Sequence, residues 1–218
     1  MEIKDVLPFY NKLTEKEKEA VTKSTTKKKM PKKAVITAGE NACSGLIMLT
    51  SGQLRAYITS SSGRQITIYR LLDGDICVLT ASCALKNITF TIELECETDC
   101  EFYLLDSAAF DKINSENTQV KDYTMSLLSG RLSDAMFVIN QTIFSSLDKR
   151  LANHLMEMYA LMQSKTLIIT HDEIANNLGS AREVITRMLK YFQSEGLIAT
   201  SRGSIELLDL KRIEKLAI

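Results

Sequence analysis

Residues 170–192 read Thr-His-Asp-Glu-Ile-Ala-Asn-Asn-Leu-Gly-Ser-Ala-Arg-Glu-Val-Ile-Thr-Arg-Met-Leu-Lys-Tyr-Phe. Thr170 and Glu173 have capping-box spacing, in which hydroxyl and carboxylate each satisfy a backbone N–H that a helix start leaves open. Ile174, Ala175 and Leu178 give that helix one apolar face. Gly179 then ends it, because glycine enters the left-handed conformation of a helix C-terminus without steric cost. A second helix follows from Ser180 or Ala181. Val184, Ile185, Met188, Leu189 and Phe192 share one face of it, and Arg182, Glu183, Thr186, Arg187 and Lys190 share the other. Two helices joined by a tight glycine turn, the second exposing arginines near its start, make a helix-turn-helix. A guanidinium can bond O6 and N7 of guanine bidentately, and a carboxylate such as Glu183 can accept from cytosine N4 or orient a neighbouring arginine. A charged helix face alone is usually only solvated. The capping box, glycine turn and apolar pattern together turn the reading towards double-stranded DNA.

Around this segment the texture is regular. Leu147, Leu151, Leu155 and Tyr159 mark an amphipathic helix from Ser146 to about Met162, and Leu197 to Leu208 reads as a small hairpin turning at Arg202-Gly203-Ser204. From Asn117, a helix N-cap residue, to Phe144 there is no proline, and Gly130 is the only glycine. There Met125, Leu128, Leu132, Ala135, Ile139 and Thr142 recur at alternating spacings of three and four, with Arg131 and Asp134 outside the seam. A near-heptad seam on so long a helix predicts a coiled-coil partner, here a second copy of the chain.

Before Ser107 the pattern changes to strands. Leu46 to Leu49, Gln53 to Ile58, Gln65 to Leu71, Thr89 to Leu94 and Glu101 to Leu105 are separated by turn-forming stretches such as Ser51-Gly52, Ser60-Ser61-Ser62-Gly63 and Asp73-Gly74-Asp75. Short strands with glycine turns at near-regular spacing predict a sandwich or barrel. Residues 1–30 read as a short helix, Glu15 to Lys23, followed by a Thr/Lys-rich stretch; Lys27, Lys28, Lys29, Lys32 and Lys33 read as solvating an edge strand.

The bulk properties narrow the class. The 218 residues carry a formal net charge of zero, so any DNA-binding face must be local. No apolar run approaches the roughly 20 residues that span a bilayer, and Met1 to Asn11 lacks a signal-peptide pattern. Five irregularly spaced cysteines fit a reducing compartment, so the expected location is the cytoplasm, with no membrane partner. There is no nucleophile–base pairing, no glycine-rich phosphate loop and no metal-ligand cluster, so no enzyme is expected.

The segment at 170–192 resembles the helix-turn-helix of the Crp/Fnr family. Arg182-Glu183-x-x-x-Arg187 matches the pattern with which Crp-type members read guanine-containing half-sites. Gly39-Glu40, Ser51-Gly52 and Leu72-Asp73-Gly74-Asp75 fall where that family keeps its glycine turns. The resemblance implies an α+β fold: an N-terminal β-roll (a jelly-roll-like double-stranded β-helix) over residues 1–116, a dimerisation helix and hinge over 117–145, and a winged helix-turn-helix over 146–218. It implies a one-component transcription regulator that binds a palindromic operator as a homodimer, with RNA polymerase as a further partner. The expected DNA-binding residues are Thr170, His171, Ser180, Arg182, Glu183, Thr186, Arg187, Lys190 and Arg202, His171 through a phosphate. The expected dimer interface is Met125, Leu128, Leu132, Ala135 and Ile139.

The sensor is harder to read. Cyclic-AMP receptors of this family carry a Gly-Glu pair after the Gly-Asp turn, whose glutamate holds the ribose, and an Arg-Ser pair on a later strand, whose arginine holds the phosphate. A Thr-Ser pair on the long helix reaches the base. Here Gly74-Asp75 is followed by no Gly-Glu pair, the Arg-Ser positions fall on Phe90 and Thr91, and the Thr-Ser positions fall on Ala135 and Met136. An apolar ring cannot neutralise a phosphate, so cyclic AMP is not the expected effector. The effector pocket is expected at Thr80, Ser82, Cys83, Phe90, Thr91, Leu128, Leu132 and Met136, with the effector unidentified. Oxygen-sensing relatives hold an iron–sulfur cluster on a cysteine group near the N-terminus, whereas no cysteine here precedes Cys43. Haem has no histidine in the β region, where neither His154 nor His171 lies. The alternatives are a redox- or metal-responsive regulator using Cys77, Cys83, Cys96 and Cys100, or a ligand-sensing module that does not bind DNA. The cysteines lack C-x-x-C spacing and read more simply as buried apolar residues.

Overall fold

In the computed structural model, which describes residues 2–38, 45–80 and 91–217, two helices open the chain, α1 (Ile3–Val6) and α2 (Glu15–Lys23). Strands β1 (Thr25–Met30), β2 (Val35–Ala38), β3 (Leu46–Ser51), β4 (Leu54–Thr59), β5 (Gln65–Leu71), β6 (Ile76–Cys77), β7 (Ile92–Cys96) and β8 (Cys100–Leu105) follow. Then come α3 (Ser107–Glu116), α4 (Thr118–Phe144), α5 (Leu147–Met162), β9 (Thr166–Leu167), α6 (His171–Leu178), α7 (Arg182–Ser194), β10 (Ile198–Ser201), β11 (Ser204–Leu207) and α8 (Leu210–Ala217). The expected turn at Gly39-Glu40-Asn41, Cys43, and the expected pocket residues Ser82, Cys83 and Phe90 lie outside the described residues. The chain forms two compact units, Met1–Ile58 with Ile68–Ala135, and Thr59–Thr67 with Met136–Ile218.

The first unit is the β-roll. Its strands pair antiparallel in two four-stranded sheets, β1-β8-β3-β6 and β2-β7-β4-β5, so every consecutive pair of strands except β4–β5 lies in different sheets. Ile47, Leu49, Leu54, Ala56, Leu71, Leu94 and Phe102 fill the space between the sheets. Leu46, Met48, Ile76 and Leu105 point the other way, into a second core with Val6, Leu7, Phe9, Val21, Phe110, Ile113 and Val120 from the helices. This is why Leu46-Ile47-Met48-Leu49 is an unbroken apolar run: β3 is buried on both faces. At the β3–β4 turn Gly52 has φ +100°, and a Cβ there would lie 2.4 Å from the Asp99 carbonyl, so the β7–β8 turn can close over it only if this residue is glycine.

The Thr/Lys-rich stretch is the edge strand β1, paired in register with β8 from Thr25↔Leu105 to Met30↔Cys100. Lys27 and Lys29 both pair with Glu101, at 2.9 Å for Lys27. The sequence reading missed α3. Asp106 starts it, accepting from the backbone N–H of Ala108 and Ala109. Asn117 then closes α3 and opens α4, its side-chain oxygen accepting from the N–H of Gln119 and Val120 while its amide donates to Glu17. In the second unit α5 to α8 surround a core of Leu151, Leu155, Ile174, Ile185, Leu189, Phe192, Leu197, Ile205 and Ile213. The expected hairpin is β10–β11, and β9 extends it to three strands. No helix among the described residues is long and apolar enough to cross a membrane.

Candidate nucleic-acid interface

The Thr170 hydroxyl accepts from the Glu173 N–H at 3.2 Å, and the Glu173 carboxylate accepts from the Thr170 N–H at 2.8 Å. Both partners of the capping box are therefore engaged in starting α6. At its other end Gly179 has φ +64° and ψ +29°, and its N–H bonds the Ala175 carbonyl. Arg150 on α5 donates to the Leu178 carbonyl, so the C-terminal turn of α6 is held from outside, and burial lowers the Arg150 guanidinium from its ordinary value. Asn177 is buried within this unit, with Thr67 donating to its side-chain oxygen at 2.6 Å and His154 Nε2 3.5 Å from its amide nitrogen.

After the turn, α7 presents Ile185, Leu189 and Phe192 to the core and leaves Arg182, Glu183, Arg187 and Lys190 exposed. Its N-cap, Ala181, has no side chain to occupy the first free N–H groups, so this helix start keeps a partial positive charge available to a phosphate. Arg182 pairs with Asp172 on α6 at 3.0 Å, both well exposed. Such a pair is worth only about 0.2–1 kcal/mol, and a phosphate or guanine can displace it. Arg187 and Lys190 make no ion pair with any of the described residues. His171 Nδ1 and Thr186 Oγ1 lie 2.9 Å apart, half-buried. The structure therefore joins α6 to α7 through two residues that the sequence sent to DNA separately. Ser180 is half-buried, and Arg202 is exposed at the β10–β11 turn, the tip of the wing.

A Eubacterium rectale protein assigned to the Crp/Fnr family of transcriptional regulators has a crystal structure that superimposes with a TM-score of 0.95, at 42% identity over 98% of this chain and 99% of that one. The chain belongs to the Crp/Fnr family. Residues 27–117 match the cyclic nucleotide-binding domain, and residues 149–216 match the Crp-like helix-turn-helix domain. Regulatory protein HlyX of Actinobacillus pleuropneumoniae is 28% identical, covering 88% of this chain and 80% of its own. The same fold occurs in CLP, the c-di-GMP-responsive regulator of Xanthomonas campestris, with a TM-score of 0.74 at 16% identity, covering 90% of this chain and all of that one. The protein is thus a DNA-binding transcription regulator of the Crp/Fnr type.

Of the residues expected to line an effector pocket, Thr80, Thr91, Leu128, Leu132 and Met136 lie among those described in this Crp/Fnr chain. Thr80 is buried, and its one hydroxyl proton is shared between the Gly45 and Cys77 carbonyls, at 2.6 and 3.1 Å. Thr91 is exposed, as are Leu132 and Met136 on α4, whereas Leu128 packs against the N-terminal core. Of the expected interface residues, Met125, Leu132 and Ile139 are exposed, Ala135 is half-buried, and Leu128 turns inward. Cys77, Cys96 and Cys100 are buried free thiols, and burial pushes Cys96 up to about 12, the wrong direction for a reactive thiolate. Among the described residues no group of three or more His, Cys, Asp or Glu side chains could hold a metal ion.

Proposed function

We propose that this protein is a one-component cytoplasmic regulator that binds a palindromic operator as a homodimer, is controlled by a small effector in the β-roll, and works through RNA polymerase. The observation that carries the dimer is the exposed stripe on α4. Met125, Leu132 and Ile139 are seven residues apart and 58%, 65% and 47% exposed, and Met136 and Ile143 repeat the same interval at 54% and 65%. A run of large apolar side chains at heptad spacing, open to water on an isolated protomer, is what the seam of a two-stranded coiled coil presents before its partner is added. Two copies joined along this seam would present two α7 helices, and a two-fold protein reads a two-fold operator.

The test is Leu132→Asp. Leu132 contributes little to the protomer's own core, so the variant is expected to fold, to sediment as a monomer, and to lose most of its affinity for promoter DNA because two half-sites are no longer bound together. A Leu132→Asp protein that remains a dimer with wild-type DNA affinity would remove the seam from the reading. A purified wild-type protein that shifts no promoter fragment would instead favour the ligand-sensing module without DNA binding.

A further inference from the structure

Arg131 lies on α4, yet its side chain is only 19% exposed. Its guanidinium carbon is 4.2 Å from the centre of the Tyr69 ring on β5. One nitrogen, Nη1, bonds Asp134 at 3.0 Å, one turn along the same helix, and that carboxylate is 41% exposed. The remaining N–H groups of Arg131 bond none of the described residues. Tyr69 is buried, and among the described residues its hydroxyl meets only the Cys77 thiol, at 3.5 Å, a weak partner. Lys121 and Asp122, earlier on α4, point to solvent in the ordinary way. A guanidinium turned inward onto a buried tyrosine, with a half-solvated carboxylate as its one neutralising group among the described residues, is under-satisfied there in both charge and hydrogen bonds. Arg131 and Tyr69 thus make a donor pair: a fork-shaped cation with open N–H groups and a phenol whose hydroxyl can turn to a better acceptor.

Resting on the effector-binding reading of the β-roll, we propose that Arg131 and Tyr69 form the oxyanion-binding part of the sensor, and that its effector carries a carboxylate or phosphate group. Planar bidentate pairing is the strongest contact a guanidinium makes with either group. The Asp134 side of the pair is open to water, so an incoming oxyanion competes with one half-solvated carboxylate for the guanidinium. Burial raises the Tyr69 phenol well above its usual range, which keeps it a hydroxyl donor beside an anion. Because Arg131 sits on α4 and Tyr69 on β5, an anion held by both ties the dimerisation helix to the roll.

The experiment uses the full-length dimer and three probes, inorganic phosphate, benzoate and phenyl phosphate, against chloride at matched ionic strength. Thermal shift and calorimetry are run on wild type, Arg131→Gln, Arg131→Lys and Asp134→Asn. At least one probe is expected to stabilise the wild type. That affinity should fall about tenfold or more in Arg131→Gln, as expected for loss of a charge-assisted bidentate contact. Arg131→Lys, which keeps the charge and loses the fork, should fall between the two, and Asp134→Asn should bind more tightly because its competing carboxylate is gone. Phosphate alone stabilising the wild type identifies a phosphate-bearing effector, and benzoate alone a carboxylate-bearing one. Equal affinity in wild type and Arg131→Gln, or no response of the wild type to any probe, overturns the proposal. Promoter-fragment binding by the same samples keeps the two readings apart: DNA binding that persists without an oxyanion response removes the anion site and leaves the regulator standing.

Discussion

Arg187 and Lys190 stand on the same exposed stripe of α7 without an ion-pair partner among the described residues, yet their chemistry divides their roles. A guanidinium forked onto guanine carries sequence information, whereas an ammonium on a phosphate holds register without it. Arg187→Ala is expected to lose about 1–3 kcal/mol on the preferred site and much less on random DNA. Lys190→Ala should weaken every sequence alike and lower the salt slope by roughly one unit. Glu183→Ala should relax preference at one base position without weakening non-specific binding, since a negative charge has left the interface with a polyanion. Binding to a half-site library at two salt concentrations separates these outcomes, and identical behaviour of Arg187→Ala and Lys190→Ala would remove base reading by this helix. Gly179 is a different kind of residue. Its φ of +64° is the reason for its identity, because a Cβ there would meet Ile66 only at an ordinary 3.4 Å. Gly179→Ala should therefore cost about 1–2 kcal/mol through the backbone, read as a lower denaturation midpoint with an unchanged m-value.

Helix ends were the most legible elements, because their signals are local. Thr170 with Glu173, and Gly179 nine residues after Thr170, mark both ends of α6 within one short stretch, and the structure keeps both. Thr170→Ala should cost about 1 kcal/mol of stability in the C-terminal unit, measured by chemical denaturation. α3 was invisible because Asn117 serves two helices, and only its role at the start of α4 has a strong sequence signature. β1 was read as an edge, but its partner β8 lies some seventy residues away and no local pattern names it. That pairing also sets a pH dependence. Hydrogen bonds from Lys29 and then Lys27 hold the Glu101 carboxyl down at about 2, against an ordinary 4.5. A depressed carboxylate stabilises the fold above its unfolded value, and that contribution fades as pH falls through its folded value. The stability gap between wild type and Glu101→Gln should thus be present at neutral pH, shrink from about pH 4.5 to about pH 2, and be reduced by salt, since the site is exposed. A gap that widens on acidification would refute the assignment.

Across the whole molecule, the chain uses α4 for two purposes that the sequence separated only in part. Met125, Leu132 and Ile139 face outward at heptad spacing, while Arg131 and Leu128 face the roll. The outward stripe of Met125, Leu132 and Ile139 was readable from spacing, but the inward turn of Arg131 was not, since it depends on Tyr69 more than sixty residues earlier. This arrangement inverts the charge pattern of a cyclic-AMP site, where the resemblance places the phosphate on a strand arginine and the base on helix hydroxyls. In the proposed site the helix supplies the cation, Ala135 and Met136 offer no hydroxyl, and the buried Thr80 hydroxyl points its proton at the Gly45 and Cys77 carbonyls. On the alignment given by the resemblance, a cyclic nucleotide would meet Ala135 and Met136 with its base and Phe90 and Thr91 with its phosphate, and a phosphate buried without a cation costs several kcal/mol. Cyclic AMP is therefore expected to leave both melting temperature and operator affinity unchanged. A ligand at 100 times its dissociation constant would add about 2.7 kcal/mol, several degrees for a chain of this size, so the measurement has ample range. Micromolar binding of cyclic AMP by calorimetry would mean that the alignment placing Phe90 and Thr91 at the receptors' Arg-Ser positions is out of register, and that an anion partner lies elsewhere in the roll.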